Sequence, residues 1–189
     1  MFNKKDLEKY RQRLFELLMK DAFRKEQITL SSGKQSSYYI DARTVTLNPE
    51  GAFCAACLIL AMIEGNAKIK AIGGPTIGAD PIAGAIAAVS FLQQLPLKTF
   101  IVRKAAKVHG KGKQVEGPRL KPGSEVVIID DVATTGSSLV EAAGVLRASG
   151  LIVEKAIVIV DRQEGGRENL SAAGIQLSSI FTVADFLKR

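Results

Sequence analysis

Two adjacent carboxylates followed closely by hydroxyls and a glycine are the residues in this chain best suited to chemistry: Asp130, Asp131, Val132, Ala133, Thr134, Thr135, Gly136, Ser137 and Ser138. Free backbone N–H groups at the start of a helix form an anion site. A glycine among them lets the main chain close around a phosphate. Carboxylates cannot hold phosphate, so the two acids suit sugar hydroxyls or a metal ion. Taken alone, the string also reads as a βα turn with a capped helix. The apolar, β-branched run 126–129 just before it predicts a strand buried on both faces, and 139–148 predicts a helix. Acids and hydroxyls therefore fall beyond the carboxyl end of a strand, where open α/β sheets bind their ligands. Phosphate, sugar and metal groups side by side point to a phosphorylated sugar.

A second segment carries charge of the opposite sign. Arg103, Lys104, Lys107, Lys111, Lys113, Arg119 and Lys121 face only Glu116, so nearly all of the net charge of +7 sits in one stretch. A compact polyanion fits such a concentration better than a long nucleic-acid backbone, and no aromatic residues interleave it for base stacking. Its glycines and proline predict a loop between strands. His109, the sole histidine, lies inside it. By itself a charge run reads as a solvated hairpin. Beside a phosphate cradle it reads as a lid that excludes water and neutralises a leaving group. Arg162 follows the predicted strand 155–160 and lies at the same edge of the sheet. A guanidinium there either makes a surface ion pair or clamps a carboxylate through two parallel N–H bonds.

The elements that must position these groups alternate. Strands are expected at 71–72, 99–102, 126–129, 155–160 and 175–181, with helices between them. This predicts a mostly parallel sheet with helices on both faces. The segment GGPTIGA reads as a loop, with Asp80-Pro81 as cap and first-turn proline of the next helix. Ahead of the alternation, Asn3 is placed to cap a helix striped by Leu7, Tyr10, Leu14, Leu17 and Leu18. Strands 28–30 and 38–41 then read as a hairpin, and Pro49 opens a helix to about residue 64. Residues 1 to about 45 would form a hood over an α/β core of about 65–189, all in one domain, a size that 189 residues comfortably support. Cys54 and Cys57 read as small core residues of a buried helix. No apolar run reaches membrane-spanning length and the first residues lack a signal-peptide pattern, so a cytoplasmic location is expected.

The stretch 126–138 closely resembles the phosphoribosyl-diphosphate (PRPP) binding motif of type I phosphoribosyltransferases. Arg103-Lys104, Lys107 and His109-Gly110 resemble the catalytic loop of the orotate phosphoribosyltransferases. DRQEGG around Arg162, and the Ser36-Ser37-Tyr38-Tyr39 segment, resemble that family's orotate-binding parts. The resemblance implies a type I phosphoribosyltransferase fold and transfer of a phosphoribosyl group from PRPP to orotate. It implies catalysis by Lys107, His109, Asp130 and Asp131, with PRPP also held by Arg103, Lys104 and residues 132–138. Thr76, Ile77, Gly78 and Ala79 become the pyrophosphate loop; Thr134, Arg162, Tyr38 and Tyr39 become orotate-binding. Mg²⁺ is implied, carried mainly by substrate, with Asp130 and Asp131 as candidate ligands. A homodimer is implied as well, with loop 103–119 shared across the interface. Two positions depart from the family pattern: Ser31 and Gly78 stand where some members carry lysine. A purine-type transferase and a nucleic-acid-binding regulator are the competing readings.

Overall fold

The computed structural model of the chain describes residues 2–29, 35–105 and 113–188. Helix α1 (Lys4–Leu17) is capped by the Asn3 side chain, which accepts from the Lys5 N–H at 2.9 Å. Its stripe buries Leu14 and Leu17, and a π-helical turn (Leu18–Ala22) continues it. Four two-residue strands follow: β1 (Phe23–Arg24), β2 (Ile28–Thr29), β3 (Gln35–Ser36) and β4 (Tyr39–Ile40). The expected hairpin forms with different partners: β2 pairs with β3, while β4 pairs with β1. Tyr39 is thereby tied to the end of the first helical segment.

Helix α2 (Arg43–Thr46) leads to α3 (Pro49–Ile63), capped by Asn48 and carrying proline at its first position. Cys54 and Cys57 are free and buried in α3, and burial pushes the Cys57 thiol up to about 12, which leaves it inert as a nucleophile. The alternating part comprises β5 (Ile69–Pro75), α4 (Ala79–Leu92), β6 (Lys98–Val102), β7 (Val115–Glu116), β8 (Glu125–Ala133), α5 (Ser137–Ala148), β9 (Ile152–Asp161), α6 (Gly166–Ala172), β10 (Gln176–Thr182) and α7 (Val183–Leu187). They build one six-stranded sheet in the order β10-β9-β8-β5-β6-β7. Every pairing is parallel except that of β7, which runs antiparallel to β6 along the edge. The basic segment was expected to be all loop; the structure places β7 within it.

The sheet is a twisted α/β layer covered on both faces, the expected fold class. Along β8 the side chains alternate, as a strand requires. Val126 and Ile128 join Leu139, Ala142 and Leu146 of α5 in one core. Val127 and Ile129 join Leu14, Ile59 and Ile82 from α1, α3 and α4 in the other. Each face thus closes over a strand that is apolar on both sides.

Three boundaries that differ from the sequence reading matter to the site. Gly73, Gly74 and Pro75 belong to β5, so the loop after it contains only Thr76, Ile77 and Gly78. Helix α4 starts at Ala79, which puts Asp80 inside its first turn rather than at the cap. Strand β8 also runs four residues further than expected, through Asp130 and Asp131 to Ala133. Its added length pairs with β9 alone.

Candidate active site

The cleft arises where the strand order reverses. Chain order within the parallel sheet runs from β5 outward to β6, then returns to the other side of β5 for β8, β9 and β10. The β5–β8 ladder ends at the pair Gly73–Ile128. Beyond it, Gly74 and Pro75 pair only with β6, and Asp130 to Ala133 stay with β9. The two strands part, and a crevice opens between their carboxyl ends, the place where open α/β sheets take ligands.

A cleft of about 300 Å³ fills this position. Its walls include Asp130, Asp131, Thr134 and Ser138 from β8 and the turn into α5, with Thr76, Ile77 and Gly78 facing them after β5. The Thr76–Ile77 peptide bond is cis. Tyr39, Asp41 and Arg43 close one side, Lys104 and Arg162 two others.

Both acids reach the cleft from the end of β8. Asp130 is buried and accepts from Ser138 Oγ of α5 at 3.3 Å and from the Asp131 N–H at 3.0 Å. Asp131 accepts from the Val132 N–H at 2.8 Å and lies within the field of Arg43. Burial pushes the Asp130 carboxyl well above the usual carboxylate range, and the Asp131 charge adds to it. Asp131 is raised too, chiefly by burial. Such a crowded, desolvated pair gains from any hydroxyl donor or cation brought between its members. Among the described residues no group of three or more His, Cys, Asp or Glu side chains is placed to hold a metal. Two carboxylates fit a Mg²⁺ that keeps most of its oxygens from substrate and water.

Next to the acids, Gly136 takes the left-handed conformation (φ 73°) that starts α5. The first hydrogen bond of that turn runs from the Val140 N–H to the Gly136 carbonyl at 3.0 Å. The amides of the preceding residues have no intrahelical acceptor. With Thr135, Ser137 and Ser138 exposed around them, they form a phosphate-sized set of donors.

Arg162 is only 5% exposed. Its Nε donates to Glu164 at 2.9 Å, one Nη reaches Ser36 Oγ at 3.3 Å, and its guanidinium lies 4.6 Å above the Tyr38 ring. The Tyr38 hydroxyl donates to the same Glu164 oxygen at 3.0 Å. Burial, and then that bond, raise the phenol further from ionisation. The guanidinium is therefore fixed from below and from one edge while it also lines the cleft. A guanidinium ordered in this way is suited to a carboxylate, which it can meet through two parallel N–H bonds.

A phosphoribosyl transferase domain model matches residues 46–181. The orotate phosphoribosyltransferase of Nostoc sp. is 40% identical over 184 residues, covering 97% of this chain and 88% of that protein. The chain belongs to the orotate phosphoribosyltransferase family. Among solved structures, Mycobacterium tuberculosis orotate phosphoribosyltransferase in complex with Fe(III) dicitrate is 32% identical with a TM-score of 0.79, covering 94% of this chain and 98% of that one. The same enzyme in complex with PRPP matches with 28% identity, a TM-score of 0.76 and the same coverage.

For an orotate phosphoribosyltransferase, the residues singled out in the sequence are brought together unevenly. Asp130, Asp131, Val132, Thr134, Ser138, Thr76, Ile77, Gly78, Tyr39, Lys104 and Arg162 all line one cleft. Arg103 turns away, with its Nη 3.6 Å from Glu116 on β7. Tyr38 lies beneath Arg162 instead of in the cleft wall. Ala79 is buried in the first turn of α4. Lys107, His109 and Ser31 lie outside the described residues.

Arg43 escaped the sequence reading; Ser36 and Glu164 lie in segments it singled out, but their role of holding Arg162 did not emerge there. Gly78 acquires a physical reason. A Cβ there would run into carboxylate oxygens of both Asp130 and Asp131. Its φ of −64° suits any residue, so it is close approach to the two carboxylates, not backbone conformation, that favours glycine here. A side chain at this position would require both acids to shift.

Proposed function

We propose that this enzyme transfers the phosphoribosyl group of PRPP to orotate, giving orotidine 5′-monophosphate and pyrophosphate in pyrimidine synthesis. The observation that carries the reading is the buried, pre-held Arg162 clamp across a cleft from the paired acids. A purine base offers no carboxylate to such a clamp. In the reaction the bond from ribose C1 to the pyrophosphate oxygen breaks, and a bond from a ring nitrogen of orotate to C1 forms. The displacement is direct, with no covalent enzyme intermediate.

Each wall then has a task. Arg162 holds the orotate carboxylate, with Tyr39 and Thr134 beside the ring. The amides and hydroxyls of Thr134 to Ser138 hold the 5′-phosphate. Asp130 and Asp131 accept from the ribose hydroxyls and offset positive charge growing on the ring as pyrophosphate departs. The amides of the loop from Thr76 to Ala79, with Lys104, receive the pyrophosphate. Mg²⁺, which Asp130 and Asp131 would hold together with substrate oxygens, would supply Lewis-acid polarisation and a template. The enzyme works in the cytoplasm on small molecules. Pyrophosphate release from PRPP with orotate as sole base tests the reading; release with adenine or hypoxanthine, and none with orotate, overturns it.

The enzyme acts as a homodimer in which Lys107 and His109 of loop 103–119 close over the neighbouring subunit's pyrophosphate. The backbones of Arg103 and Gln114 are hydrogen-bonded, so the segment between them reaches roughly 15 Å from the sheet edge when extended, and a two-fold axis lets each site borrow from the other. The test mixes two inactive variants, Asp130→Asn/Asp131→Asn and Lys107→Ala, and lets subunits exchange. Each hybrid would hold one doubly damaged site and one intact site. Random exchange makes about half the dimers hybrid, so about a quarter of all sites should recover. Verified exchange without recovery means that each loop serves its own subunit.

A further inference from the structure

We infer that Arg43 is a pyrophosphate-binding residue of this enzyme, supplying from the first helical turn after β4 the fixed cation that the loop Thr76–Gly78 after β5 lacks. The inference rests on PRPP occupying the cleft as described. Arg43 lines that cleft with Tyr39 and Asp41 on one side and Asp131 opposite. It is held there by the Asp41 carboxylate. Its Nε and one Nη donate to the two Asp41 oxygens, each at 2.8 Å, and its own backbone N–H donates to Asp41 Oδ1 at 3.1 Å. The arginine side chain remains 46% exposed, so water and ligand reach it. The carboxylate occupies one edge of the planar fork and leaves the other Nη free to donate among the described residues.

Charge makes such a residue necessary. The described cations of the cleft are Arg43, Lys104 and Arg162, set against Asp41, Asp130 and Asp131. Arg162 is committed to Glu164 and to the base. PRPP is a polyanion that brings two phosphate groups to C1 and a third to C5. The 5′-phosphate has the amides of α5, while the pyrophosphate has a short loop, Thr76 to Gly78, that carries no cationic side chain and lies against two acids. A cation beside Asp131 would neutralise both the acid and a phosphate oxygen bound near it. Arg43 occupies that place with its side chain already ordered, so little rotamer freedom is lost on binding.

The experiment compares Arg43→Gln and Arg43→Lys with the native enzyme. Calorimetry in the presence of Mg²⁺ measures affinity for PRPP, for pyrophosphate and for orotidine 5′-monophosphate, which lacks the pyrophosphate. In Arg43→Gln, PRPP and pyrophosphate should both bind about 10- to 100-fold more weakly, the scale of one hydrogen bond to a charged group. Orotidine 5′-monophosphate should bind within about twofold of native, because the lost contact serves the leaving group alone. Arg43→Lys should fall between, retaining charge without the fork, and gives the same comparison should the glutamine variant prove unstable. Unchanged pyrophosphate affinity, or equal weakening of all three ligands, overturns the inference. A native enzyme that binds PRPP but does not turn over orotate would refute the proposed reaction and leave the Arg43 comparison intact.

Discussion

Arg162→Ala should weaken orotate by roughly 2–5 kcal/mol, the cost of truncating one partner of a desolvated charge pair, while PRPP affinity changes little. The prediction is large because the clamp is buried and ordered in advance. Glu164, Ser36 and the Tyr38 ring fix the guanidinium, so the free enzyme has already met most of the entropic cost of placing it. Removing it leaves the orotate carboxylate in a desolvated pocket and also leaves Glu164 facing only the Tyr38 hydroxyl. Some thermal destabilisation should therefore accompany the loss, and Arg162→Ala/Glu164→Gln should restore stability without restoring orotate binding. Arg162→Lys should recover little, since a point charge cannot present two parallel N–H groups. Calorimetric titration of each ligand separately decides the matter. Equal losses for orotate and PRPP would sink the assignment.

The parts of the site carried by one continuous segment were legible from sequence. A β-branched run, two acids and a glycine among hydroxyls specify a strand, its edge and a helix start, and all are local. Even so, the end of β8 was misplaced by four residues. Acids read as strand terminators, and here they remain in the ladder because β9 keeps pairing after β5 has turned to β6. The strand register that opens the crevice is a tertiary property, invisible in residue types. The glycine-rich end of β5 was missed for a related reason. Gly73 and Gly74 look like loop residues, yet they serve a strand whose neighbours approach too closely for a side chain.

Contacts assembled by the first forty-odd residues were the least legible. The pairing of β4 with β1, and of β2 with β3, depends on how short strands settle against α1. Two-residue strands carry almost no periodicity to read. Arg43 reaches the cleft only because β4 is held there, and nothing in its spacing from Asp41 announces a ligand contact. Glu164 had a weak signal, an acid two residues after a candidate clamp arginine. The salt bridge considered for Arg162 does form, but deep in the fold, and it supports the clamp where a surface pair would have left it idle.

Replacing the paired acids should separate stability from activity. Asp130→Asn/Asp131→Asn should lower turnover by about two orders of magnitude or more, the scale on which loss of a preorganised electrostatic contact acts. PRPP binding should also lose much of its Mg²⁺ dependence. The fold should persist, because an asparagine at 130 can still accept from the Asp131 backbone N–H and still reach Ser138. Stability should move the other way, and the sign follows from the raised carboxyl of Asp130. Between the ordinary carboxylate range and its raised folded value, the native state holds a proton that the unfolded chain has released. The contribution of Asp130 to native stability therefore falls as pH rises through that window and is lower at neutral pH than in acid. An amide does not ionise, so Asp130→Asn alone should raise the midpoint of thermal unfolding of the free enzyme at neutral pH. The gain should shrink as pH is lowered toward the ordinary carboxylate range. Thermal unfolding from acid to neutral pH, run beside steady-state kinetics, reads both effects. Unchanged turnover would reduce the acids to a capping role, and an unchanged or lowered midpoint at neutral pH would mean that their burial costs the fold nothing.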